Sequence, residues 1–156
     1  MIAEGHIEAL CVILQAARTD PAVVWALTGS TSFALQGMDV IARDIDIMTD
    51  EQGAYELEHR LLRYSVRPVR YSEAEKIRSH FGLLNICGID VEIMGAIQKK
   101  LPGGDWEPVF SLEPIMEFIE YRSMRLPVIA LSHEVKAYRL LGRTERADLI
   151  EKHLKI

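Results

Sequence analysis

The stretch Val23-Val24-Trp25-Ala26-Leu27-Thr28-Gly29-Ser30, followed after a short gap by Arg43-Asp44-Ile45-Asp46-Ile47-Met48, decides how the rest of the chain is read. The first segment is a β-branched and aromatic run that stops at Thr28-Gly29-Ser30, and Thr31 to Gly37 is long enough for about two helical turns. The pattern predicts a strand, a glycine turn and a short helix. In the second segment polar and apolar residues alternate. As a strand it places Ile45 and Ile47 on one face and both aspartates on the other.

Working outward, Ile2, His6, Leu10, Ile13, Leu14 and Ala17 fall near helical spacing over residues 2–18, and Asp20-Pro21 closes that segment. Asp50 is a predicted N-cap for an amphipathic helix over 51–63, carrying Tyr55, Leu57, Leu61 and Leu62. Residues 66–71 predict a strand. Residues 80–87 and 89–94, hinged at Gly88, predict a hairpin or a bent strand. Pro102-Gly103-Gly104-Asp105 is a loop. Two further strands are expected over 116–121 and 126–131. Ser132 is expected to cap a helix that ends at Gly142, and a last helix runs from Thr144 to Lys155. The mixture predicts an α/β or α+β fold, a mixed sheet flanked by helices with a helical C-terminal tail.

The 156 residues suit one domain, 1–156, and 49% hydrophobic with 26% charged residues argues against disorder. A net charge of −5 offers no diffuse attraction to phosphate backbones, so a nucleotide needs a local site and cations. No window approaches the ~20 apolar residues of a membrane span, which leads us to expect a cytoplasmic protein without a membrane partner. Cys11 and Cys87 lie in apolar runs and are expected to be buried. The five histidines lack metal-ligand spacing and are expected on the surface, solvated or hydrogen-bonded. Trp25 is expected in the core, whereas Trp106 beside the glycine loop is open.

Two carboxylates one residue apart on a strand stand roughly 6–7 Å apart at Cα, close enough to share divalent cations. Without cations they repel. A glycine and serine at a strand-to-helix turn let the backbone approach a phosphate, with amides and a hydroxyl as donors. A triphosphate fits between these features, with magnesium (or manganese) neutralising charge. A third carboxylate completes the set. Either Asp90 or Glu92 can serve, since an extended segment puts both on one face.

These residues resemble the DNA polymerase β-like nucleotidyltransferase superfamily, whose motif is an apolar residue, Gly, Gly or Ser, a gap of about ten residues, then acid-apolar-acid-apolar. Thr28 directly before the glycine departs from that pattern. In Gly88-Ile89-Asp90-Val91-Glu92-Ile93, Glu92 takes the usual slot of the third acid and Asp90 falls two residues early. The tail, with Ser132-His133-Glu134-Val135-Lys136-Ala137, is similar to that of small antibiotic-type and toxin–antitoxin-type members. The resemblance implies Asp44, Asp46 and Glu92 as catalytic metal ligands, with Asp90 as the alternate third ligand. It further implies Gly29 and Ser30 at the phosphates, and Lys136 near them; Arg43 is a further candidate for a phosphate contact. The implied partners are a nucleoside triphosphate and a hydroxyl acceptor, on a small molecule, RNA or protein. A homo-oligomer or a toxin–antitoxin partner is a further expectation, and a non-catalytic module of the same fold is the alternative reading.

Overall fold

The structure, a computed structural model, describes residues 2–155. A helix α1 (Glu4–Arg18) leads to β1 (Trp25–Thr28), which runs directly into the short helix α2 (Gly29–Leu35). Then come β2 (Ile45–Thr49), α3 (Glu51–Arg60), β3 (Ser65–Glu73), β4 (Ile77–Ile86) and β5 (Ile89–Lys99). After a long connection the chain forms β6 (Met116–Tyr121), β7 (Met124–Ile129), α4 (Leu131–Leu140) and α5 (Thr144–Leu154). No helix among the described residues is long and apolar enough to cross a membrane.

Among the described residues seven strands make one mixed sheet in the order β3-β4-β5-β2-β1-β7-β6. β2 lies at its centre, antiparallel to β1 and parallel to β5, while β1 is parallel to β7. The alternation read in the sequence sorts the two faces. Ile45, Ile47, Val91, Ile93, Leu27 and Val128 pack under α1 and α3 in the largest core. Ala26, Met48, Ile97 and Ile129 point the other way, toward Leu112 of the long connection. A third cluster, Phe33, Met38, Leu131, Val135, Ala147 and Ile150, joins α2 to α4 and α5.

Local signals explain most element ends. The Asp50 carboxylate accepts the Gly53 N–H at 2.6 Å, as an N-cap does. Cys87 (φ 53°) and Gly88 (φ 80°) form the tight turn of the β4–β5 hairpin, whose twist requires left-handed backbone at both positions. Three expectations are corrected. Ser132 does not cap α4: Ala130 is the N-cap residue, without a side-chain bond, because β7 passes into the helix with hardly a loop and Ser132 falls inside the first turn. Cys11 and Cys87 are exposed, since Cys11 lies off the buried stripe of His6, Ala9, Leu10, Ile13 and Ala17, and Cys87 sits in the hairpin turn. His6 belongs to that stripe and is buried, its Nε2 donating to the Arg43 carbonyl at 2.6 Å.

Candidate active site

The three central strands hold the candidate groups in one row. Thr28 of β1 pairs with Asp46 of β2, and Asp46 pairs with Glu92 of β5. The hydrophobic alternation that buries Ile45 and Ile47 therefore turns all three toward the face left free by α1 and α3. Asp44 lies one step outside β2 and is exposed, with its carbonyl accepting from Thr31 Oγ1 at 2.8 Å. Asp90 is on the same face of β5 as Glu92 but at the hairpin end, where it accepts from the Asn85 amide at 2.9 Å. The register thus places Glu92, not Asp90, opposite Asp46.

Gly29 begins α2 with φ 73°, a conformation that a side chain disfavours, and a Cβ there would lie 2.1 Å from Asp46 Oδ2. The glycine is required by the closeness of the turn to the carboxylate as well as by its backbone. Ser30 Oγ accepts the Arg43 N–H at 2.9 Å, tying this turn to the segment that delivers Asp44 and Asp46.

Burial pushes Asp46 well above the usual carboxylate range, and a hydrogen bond and like charge from Glu92 add to it, followed by the charges of Asp44 and Glu134. Asp46 Oδ1 is buried without a hydrogen-bond partner. Among the described residues no three His, Cys, Asp or Glu side chains converge as a ready ligand shell.

A cleft of about 160 Å³ opens beside Asp46 and Gly29. Met48, Met94, Ile97 and Ile77 form its apolar floor, and Tyr138, Leu141 and Arg143 come from the C-terminal helices and the bend between them. Its polar wall is Lys99, His133 and Glu134. The sequence reading gave none of the three a role, and His133, expected on the surface, is partly buried with no hydrogen-bond partner at Nε2 among the described residues. Lys99 is buried and pairs with Glu107 at 3.4 Å. His133 rests against Phe110, and burial, then Lys99, holds its pKa below the ordinary value. Arg43 and Lys136 are exposed and do not line the cleft, nor does Ser30.

The sequence pattern of aminoglycoside-2''-adenylyltransferases matches residues 9–153, nearly the whole chain. The chain belongs to that family. It is a nucleotidyltransferase of mixed α/β architecture. Nothing among curated protein sequences matches it. Among solved structures, this adenylyltransferase-family chain is similar to a Thermotoga maritima protein assigned as a nucleotidyltransferase. The two share 45% identity and a TM-score of 0.86, over 99% of this chain and 96% of the other. It shares its fold with the lincosamide antibiotic adenylyltransferase LnuA, solved with lincomycin (17% identity, TM-score 0.55, 96% and 97% covered). The same holds for ANT(2'')-Ia in complex with adenylyl-2''-tobramycin (12% identity, TM-score 0.51, 96% and 97% covered).

Proposed function

We propose that this family member transfers a nucleotidyl group, in the first instance adenylyl, from a nucleoside triphosphate to a hydroxyl of a small molecule, with Asp44, Asp46 and Glu92 as the catalytic carboxylates. The observation that carries the reading is the Asp46–Glu92 pair, set in register beneath a glycine turn so close that no side chain fits between turn and carboxylate. The family and the antibiotic-bound relatives favour a small-molecule acceptor over RNA or protein.

The donor set suits magnesium or manganese. It is all oxygen, and a buried carboxylate oxygen of Asp46 has no partner. Asp44, Asp46 and Glu92 would hold the ion, which when bound supplies charge neutralisation at the phosphates. The residues do the rest. Gly29 lets the turn approach the triphosphate, and Ser30 holds that turn to the Asp44 segment. Glu92 accepts the acceptor's hydroxyl proton as its oxygen attacks the α-phosphorus; the bond from that phosphorus to the bridging oxygen breaks, and pyrophosphate leaves.

The test is release of pyrophosphate from each of the four common nucleoside triphosphates, with magnesium and a pool of hydroxylated small molecules, in wild type and Asp46→Asn. Release that the substitution abolishes supports the enzyme. Magnesium-dependent triphosphate binding without release for any acceptor replaces it with a binding module.

A further inference from the structure

Glu134 lies on α4, far from the acidic motifs in sequence, yet its Oε2 accepts the Thr28 hydroxyl at 2.6 Å across a separation of 106 residues. The Gly29 backbone N–H lies near enough to this carboxylate to favour its charged form. Glu134 is only 3% exposed. A carboxyl group from α4 is thus seated at the turn where the proposed reaction needs a triphosphate to lie. Thr28 is also the residue that departs from the superfamily's pattern, where an apolar residue precedes the glycine. Its hydroxyl has a specific partner here.

We propose that Glu134 is a positioning residue: its carboxylate holds Thr28 and Gly29 in the conformation that receives the triphosphate, so that α4 sets the geometry of a turn made by the first half of the chain. The inference rests on the nucleotidyltransfer reading for its functional meaning. Three features support it. A buried carboxylate is costly unless hydrogen-bonded, so the Thr28 hydroxyl at 2.6 Å marks a specific seat. Gly29 has left-handed backbone that its own helix of seven residues does little to fix. Finally, the same turn lies within van der Waals reach of Asp46, so a shift at Gly29 is felt at the catalytic carboxylates.

The test compares wild type with Glu134→Gln, Glu134→Ala and Thr28→Val, reading hydrogen exchange at the Gly29 amide and binding of inorganic tripolyphosphate with magnesium by calorimetry. Gln keeps an acceptor and the shape; Val keeps the shape of Thr28 and removes the donor. We expect Gly29 exchange to rise about tenfold in Glu134→Ala and Thr28→Val and to stay within about twofold in Glu134→Gln. Tripolyphosphate affinity should fall about tenfold in Glu134→Ala and recover in Glu134→Gln. Unchanged Gly29 exchange in the folded Thr28→Val variant overturns the proposal. So does tighter tripolyphosphate binding in Glu134→Ala, which makes the carboxylate a competitor of phosphate. Neither readout needs turnover, so an inactive wild type defeats the enzymatic reading while leaving the turn's dependence on Glu134 decided by exchange.

Discussion

Asp46 and Glu92 stand opposite each other on parallel neighbouring strands, and Glu92 adds to the burial that raises the Asp46 pKa. Burial and the like charge opposite it disfavour the charged form of Asp46, which a cation beside it would restore. Replacing either with its amide removes a charge and keeps the volume. We expect Asp46→Asn and Glu92→Gln each to lower pyrophosphate release at least about a thousandfold, roughly 4 kcal/mol of transition-state stabilisation, while both variants melt no lower than wild type. Asp90→Asn should retain activity within about threefold. Equal losses in the Asp90 and Glu92 variants, measured side by side, would contradict the assignment of the third ligand.

Gly29→Ala combines left-handed backbone with a clash against Asp46. The expected destabilisation is about 2 kcal/mol or more by chemical denaturation, with loss of activity beyond what the unfolded fraction explains. Gly103 has open space around it, and Gly103→Ala should be nearly neutral in the same assay.

The pH dependence of stability follows from Glu134. Burial raises its pKa to about 7 from an ordinary 4.5, only partly offset by the Thr28 hydrogen bond and the Lys99 charge. Between these values the folded chain binds more protons at this site than the unfolded chain, so the contribution to stability is full below about 4.5 and is lost as pH rises through about 7. Glu134→Gln cannot lose a proton. Its stability relative to wild type should rise with pH across that window, by up to about 1.4 kcal/mol per pH unit. A flat difference in urea midpoints from pH 5 to pH 8 would falsify this.

Phe33 is fully buried where α2 meets α4 and α5, edge-on to Tyr138 at 6.1 Å. Phe33→Leu should cost about 1–2 kcal/mol, and Phe33→Ala about 3–5. If the C-terminal helices set the cleft, the milder variant should raise the triphosphate KM more than it lowers kcat, as steady-state kinetics can show.

How much of this was legible in the sequence depended on range. The Gly29 turn, the alternation through Asp44 and Asp46 and the Gly88 hairpin are local patterns, and backbone geometry alone orders them. The strand order was not legible, and with it went the pairing that distinguishes Glu92 from Asp90, because both share a face of β5 and only the neighbouring strand separates them. Glu134 sat within the quoted tail motif yet gave no sign of its partner. Nothing near it indicates burial, and Thr28, the one anomaly that pointed to it, lies at the other end of the chain. The cysteines were misread for a related reason: apolar neighbours do not reveal which side of a helix or turn a residue takes.

The central position of β2 has a consequence for how such a protein can change. Its acidic motif is braced on both sides by strands that contribute Thr28 and Glu92, whereas β3 at one edge of the sheet and β6 at the other lie at the margins. Margins can be lengthened, recharged or exchanged without moving the braced row. Relatives with different acceptors are then expected to differ at the rim and agree at the hub, so recognition is the adjustable part of this architecture and reactivity the fixed one.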